Sequence, residues 1–159
     1  MKKSKNAFTM IELVFVIVIL GILSAVAIPK LAATRSDAEA AKIRSDVAAI
    51  RSSIITERQT RLIRGESSFI SSLDRGVASN TDGVAIFDGN DTTHILLTYP
   101  IYTAKKASNE PISGKWLKTG NNQYSASVGG TVVVFTYTPS PNGLFDCNHT
   151  DSKCRLLLR

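Results

Sequence analysis

The sequence predicts an α+β fold: one long N-terminal helix, apolar in its first half and amphipathic in its second, packed on a small antiparallel β-sheet. Three observations predict it. Residues 8–28 form an apolar run broken by a single charge, Glu12. From Lys30 to Arg64 there is no Gly or Pro, and Ala40, Ile43, Val47, Ile50 and Ile54 recur at helical spacings of three and four. Beyond Gly65 the chain turns to β-branched and aromatic runs separated by Gly and Asn pairs, which is strand-and-turn chemistry.

The first element is the apolar helix. Phe8 to Ile28 spans 21 residues, and at about 1.5 Å per residue such a helix is about 31 Å long, matched to a hydrocarbon core of about 30 Å. It crosses a membrane once. Lys2, Lys3 and Lys5 precede it and place the N-terminus in the cytoplasm by the positive-inside tendency, with everything after Pro29 on the other side. Glu12 is out of place here, because an acid near the middle of a span costs roughly 2.5–3.5 kcal/mol on insertion scales and marks a functional position whose partner must be sought. A cut between Ala7 and Phe8 creates that partner. It leaves a positively charged amino group at the head of the apolar segment, which can pair with Glu12 of a neighbouring copy.

Those residues carry a family resemblance. The string Ala7-Phe8-Thr9-Met10-Ile11-Glu12, the apolar run, Gly21 and the closing Pro29 resemble the N-terminus of a type IV pilin or type II secretion pseudopilin precursor, over roughly residues 1–60. Ala7 stands where that family usually has Gly. The resemblance implies that a prepilin peptidase removes residues 1–7 and methylates the amino group of Phe8. It implies polymerisation with other copies or related subunits through inner-membrane assembly machinery, and a pilin-like fold. The organisation expected is a leader (1–7), a transmembrane or filament-core helix (8–29) and an extracytoplasmic, periplasmic head (30–159) that includes an amphipathic helix (30–64). Gly21 and Pro29 both weaken a helix, so a soft stretch between them is expected, and the resemblance implies that it loses helicity on assembly. A rival reading takes Ala25-Val26-Ala27 as a signal-peptidase site, leaving a soluble exported product that begins at Ile28. Such a signal has no need of Glu12, and the helical pattern continues past the supposed cut.

The second helix, to Arg64, is expected to lay its stripe on the domain's own sheet rather than to form a free coiled coil, with Lys42, Arg44, Asp46, Arg51, Glu57 and Arg58 mostly on the other sides. Gly65 is its expected C-cap. Ser67–Leu73 is read as a short helix, followed by turns at 80–83 and 88–91. Strands are expected over His94–Tyr99, Lys115–Lys118, Tyr124–Val128 and Thr131–Tyr137, joined in a meander by Asn121-Asn122 and Gly129-Gly130, with Trp116, Tyr124 and Phe135 available for the helix.

The only cysteines, Cys147 and Cys154, are expected to form a disulfide in an extracytoplasmic domain, closing an eight-residue ring. With His149 they make three metal ligands lacking a fourth, so no metal site or cofactor is assigned. Asp146, Asn148 and Asp151 read as solvated turn residues, although the resembled pseudopilins often hold calcium near this end. The formal charge of +6 does not mark a nucleic-acid binder. Residues 1–7 carry three Lys, residues 30–64 eight basic and four acidic groups, and residues 65–159 eight of each; a local cluster of Lys105, Lys106, Lys115 and Lys118 is the one route to phosphate. No catalytic constellation can be aligned: His94 reads as a structural residue in an apolar strand, and Asp88-Gly89-Asn90-Asp91 lacks the context of a phosphate loop. The expected function is therefore structural and not enzymatic. The alternative is a membrane-anchored or secreted ligand-binding module that does not polymerise, including a pilin acting as a DNA receptor.

Overall fold

A computed structural model of the protein describes residues 8–158. The apolar and amphipathic stretches form one helix, α1 (Met10–Ile63). Pro29 lies inside it and cannot donate to the carbonyl of Ala25, yet the helix is unbroken there and at Gly21. Any softening between those two positions is thus not a feature of this conformation. The chain divides into two units between Arg35 and Ser36.

In the first unit every residue from Phe8 to Arg35 is exposed, and this helix is long and apolar enough to cross a membrane by length and composition. A helix apolar on all sides has no solvated face to turn to water, the pattern of a membrane span or bundle core.

In the second unit the remainder of α1 carries a buried stripe: Ala40, Ile43, Val47, Ile50, Ile54 and Glu57. Each of the four large aliphatic residues gains about 1.5–3 kcal/mol from burial, as an upper estimate. Glu57 was expected among the solvated residues, but it lies three residues after Ile54 and so shares the buried face. The stripe joins one apolar core with the sheet, which excludes the free coiled coil. The helix ends in a Schellman motif. Gly65, at φ +85, lets its N–H bond the Leu62 carbonyl at 3.0 Å while the Glu66 N–H reaches Arg61 at 2.9 Å.

Two short strands, β1 (Ala85–Ile86) and β2 (Ile101–Tyr102), pair antiparallel. The main sheet is an antiparallel meander in the order β3 (Trp116–Gly120), β4 (Gln123–Val128), β5 (Thr131–Thr138) and β6 (Leu144–Cys147). Val128 pairs with Thr131 across Gly129 and Gly130, both at positive φ as a two-residue hairpin turn requires. Along β5, Val133, Phe135 and Tyr137 point inward and alternate with exposed neighbours. Trp116, Tyr124, Phe135 and Phe145 form an aromatic cluster with Phe87, whose ring lies 4.6 Å from Tyr124 and 5.4 Å from Trp116. A final turn of helix, α2 (Ser152–Leu157), is capped by Asp151, whose carboxylate accepts from the Lys153 N–H at 2.8 Å.

Polar ties hold residues 42–51 of α1 against the sheet, the segment before β3, and α2. Trp116 Nε1 donates to Asp46 at 2.9 Å, Lys42 to the Gly114 carbonyl at 3.0 Å, Arg44 to the Leu156 carbonyl at 2.7 Å and Arg51 to the Phe145 carbonyl at 2.9 Å. Two expected elements are corrected. Ser67–Leu73 is not helical, because its carbonyls are taken by side chains: Ser68 by Arg61 at 3.0 Å and Ile70 by the Tyr137 hydroxyl at 2.7 Å. His94–Tyr99 is not a strand. Asp91 accepts from the Thr93 and His94 N–H groups at 2.7 and 2.8 Å, which winds the segment into a turn before it can extend.

Candidate assembly site

The apolar helix begins at a reciprocal cap. Thr9 precedes the first helical residue; its Oγ1 accepts from the Glu12 N–H at 3.3 Å, and the Glu12 carboxylate accepts from the Thr9 N–H at 3.4 Å and the Thr9 hydroxyl at 3.2 Å. This is a capping box, built by the Thr-x-x-Glu spacing of Thr9-Met10-Ile11-Glu12. Sequence reasoning singled out Glu12 and missed Thr9, although the spacing itself was the signal. All the bonds fall on Oε2, and among the described residues Oε1 has no partner and no cation is paired with the carboxylate. The site can therefore hold a negative charge at a helix N-terminus, where the backbone dipole favours it, with one oxygen still able to take a cation. Phe8 is exposed next to the cap; Ala7 and the rest of the leader lie outside the described residues.

The head pairs one buried carboxylate internally, while another, Glu57, has a buried oxygen without a hydrogen-bond partner among the described residues. Lys118 and Tyr124, cross-strand partners on β3 and β4, converge on the buried Asp74: the ammonium donates to Oδ1 at 2.8 Å and the phenol to Oδ2. The Val77 N–H adds a third donor at 2.9 Å. Burial and the Asp74 carboxylate push the Tyr124 phenol far above its ordinary range, so it stays a donor. Burial likewise pushes Tyr137 up to about 12.

This pair corrects the lysine cluster. Lys118 is buried, and Lys105 and Lys106 are engaged by Asn109 at 2.9 Å and Glu110 at 3.5 Å, which leaves Lys115 as the exposed member without those ties.

Cys147 and Cys154 are joined in a disulfide that links β6 to α2. Asp146, His149 and Cys154 place atoms within 4.8 Å of one another, but the Cys154 sulfur is committed to the disulfide, and Asp146 accepts from Arg51 and interacts with His149, each at 3.0 Å. Asn148 accepts from Thr150 and Asp151 caps α2. This donor set does not suit a calcium ion. His94, placed in a turn and not a strand, has its Nδ1 2.8 Å from Asp91; that hydrogen bond, with the His94 N–H, lowers the Asp91 carboxyl to about 2.

A span-length apolar N-terminal helix that starts at an acid-bearing cap, followed by a four-stranded antiparallel sheet, is a pilin-like α+β architecture. The comparison with protein families agrees: the model described as the prokaryotic N-terminal methylation motif matches residues 2–28, so the chain carries the signature of type IV pilins and pseudopilins. No curated protein and no solved structure matches the chain. The motif implies processing by a prepilin peptidase and filament assembly in general terms, and with the apolar helix it fits an inner-membrane anchor bearing a head outside.

Proposed function

We propose that this chain is a structural subunit of a type IV pilus-like filament or a type II secretion pseudopilus. A prepilin peptidase cuts between Ala7 and Phe8 and methylates the Phe8 amino group. Residues 8–29 then serve first as a single-pass anchor in the inner membrane and later as the filament core, with residues 30–159 as a periplasmic head. The Glu12 carboxylate takes the amino group of Phe8 from a neighbouring subunit, and Gly21 and Pro29 let the helix between them yield as subunits move from bilayer to bundle.

The observation that carries this reading is the methylation motif over residues 2–28, which contains a charge, Glu12, that pairs with no cation among the described residues. An acid in the first turn of an otherwise apolar helix, even capped by Thr9, calls for a compensating charge from outside once that turn is buried in a bilayer or a bundle. Intact mass and N-terminal sequencing of membrane-extracted protein test it. A mature start at Phe8 with one added methyl group is expected, and a start at Ile28 overturns the proposal.

A further inference from the structure

The sequence offers Cys147, His149 and Cys154 as metal ligands without a fourth, and the fold supplies one. Strand β6 carries Asp146 next to Cys147, and the turn after it returns His149 to Asp146, with Nε2 3.0 Å from Oδ2. Helix α2 sets Cys154 beside them. One donor atom from each of Asp146, His149 and Cys154 lies within 4.8 Å of the others, and the Cys147 sulfur is bonded to that of Cys154. Two sulfurs, an imidazole nitrogen and a carboxylate oxygen thus share one corner of the head.

The disulfide is what closes this set to a metal. While the sulfurs are bonded to each other neither is a thiolate, and the thiolate is the form that ligates. Opening the bond adds two thiolates to the nitrogen and the oxygen, a set of four that zinc takes in tetrahedral geometry at about 2.0–2.3 Å. The surroundings suit the same set. Asp146 Oδ1 accepts from Arg51 at 3.0 Å and from the Cys147 N–H at 2.9 Å, so its outer partners fall on one oxygen and leave Oδ2 on the His149 side. Ligating carboxylates are held in this way by a second set of hydrogen bonds. The charges also balance, since two thiolates and Asp146 stand against a divalent ion and Arg51. Both cysteines are buried, whereas the His149 side chain is 64 % exposed and gives an ion its way in.

We propose that the reduced chain binds Zn²⁺ through Asp146, Cys147, His149 and Cys154, and that the ion then holds β6 to α2 in place of the disulfide. The reduced chain is the newly made one, before the bond forms, or one whose disulfide has taken two electrons and two protons from a dithiol that becomes a disulfide in turn. Binding releases the two thiol protons, and the imidazole ligates through Nε2 as the neutral ring with its proton on Nδ1. Transfer of two electrons from the thiolates to an oxidising disulfide re-forms the bond and frees the ion. The two cross-links exclude each other.

Zinc binding by the full-length protein in detergent tests it. Zn²⁺ is titrated in competition with a chromophoric chelator, once with the chain reduced by a phosphine, which adds no competing thiol, and once with the chain oxidised. One ion per reduced chain, retained through gel filtration, and none per oxidised chain is expected. Co²⁺ in its place should give the visible bands of a tetrahedral site with sulfur charge transfer. His149→Gln, at an exposed position, and Asp146→Asn should each weaken Zn²⁺ binding to the reduced chain more than about tenfold, the low end of what even an outer partner of a metal site contributes. Equal binding by the oxidised chain overturns the proposal, because the thiolates are then not ligands. So does a reduced chain that binds no Zn²⁺, or one whose affinity is unchanged in either variant.

Discussion

Two carboxylates in apolar surroundings, Asp74 in the head and Glu12 in the N-terminal helix, are handled in opposite ways. Asp74 is fully enclosed and meets an ammonium, a phenol and a backbone N–H, so both its oxygens are satisfied within its own chain. Glu12 is exposed among apolar residues and meets only Thr9, at 3.2–3.4 Å, with no cation among the described residues. The difference teaches where each region finishes its electrostatics. Asp74 is completed within a single copy. Among the described residues the N-terminal helix leaves Glu12 without a cation, which is what the proposed transfer between bilayer and bundle needs.

The largest effect is expected where the chain is most self-sufficient. Asp74→Ala strands the Lys118 ammonium in the core, and removing one partner of a buried pair costs about 3–5 kcal/mol. Denaturant unfolding of the detergent-solubilised protein should show a midpoint lowered accordingly, with Asp74→Asn intermediate. A change below about 1 kcal/mol for Asp74→Ala would mean that water reaches Lys118, and the contrast with Glu12 would weaken.

Replacing Cys147 and Cys154 by Ser should cost less, about 2–4 kcal/mol, because an eight-residue ring removes little entropy from the unfolded chain. The same unfolding measurement reads it. Thiol labelling of protein from its native compartment should find no free cysteine, and labelling without reductant would remove the disulfide from this account.

The third prediction acts on Glu12 itself. Glu12→Gln should leave insertion and processing intact and sharply reduce incorporation into filaments, while Thr9→Ala should cost only the cap, about 1 kcal/mol of helix stability, and leave assembly near the wild-type level. The pair separates the two roles of the carboxylate. Equal assembly defects in both variants would make Glu12 a capping residue only, and wild-type assembly of Glu12→Gln would dismiss the pairing with the neighbour's amino group.

How much of this was legible in the sequence follows from how local each signal is. The continuous helix, its stripe from Ala40 to Ile54, the Gly65 cap and the Gly129-Gly130 hairpin are set by spacing and by residue conformation over a few positions, and all were readable. Strand β6 and helix α2 were not, because Leu144–Cys147 is too short to show a period and α2 is a single capped turn held by the core and the disulfide. The Ser67–Leu73 and His94–Tyr99 expectations failed for the reverse reason. Their apolar spacing was real, with Ile70, Leu73 and Leu96 buried, but Arg61 and Tyr137 took the Ser68 and Ile70 carbonyls that a helix would have used, and the Asp91 carboxylate took the Thr93 and His94 N–H groups at the start of the expected strand. At the candidate assembly site Glu12 stood out through its cost in a membrane, while the Thr9 bond is signalled only by the Thr-x-x-Glu spacing, which an apolar run obscures. The pairing of Lys118 with Asp74 spans 44 residues of sequence, and no local pattern announces it.

The smallest effect concerns a carboxylate that is exposed like Glu12 but, like Asp74, is held by its own chain. Asp91 is bonded to the His94 ring and to the His94 and Thr93 N–H groups, and these bonds lower its carboxyl to about 2 from an ordinary value near 3.8. A carboxyl depressed by folding stabilises the fold fully above its unfolded value and loses that contribution as pH falls through the folded one. The contribution of Asp91 should thus be whole above about pH 4 and fade toward pH 2. Being fully solvated, it is screened, so the effect should be small and largest at low salt. Thermal unfolding of the wild type and Asp91→Asn across this range is the measurement. The wild type should melt slightly higher at pH 6 and the two curves should meet near pH 2. A gap that stays constant down to pH 2 would show that the turn is held by packing of Leu96 and not by the Asp91 charge, and the exposed carboxylates of the head would then offer no graded middle term between Asp74 and Glu12.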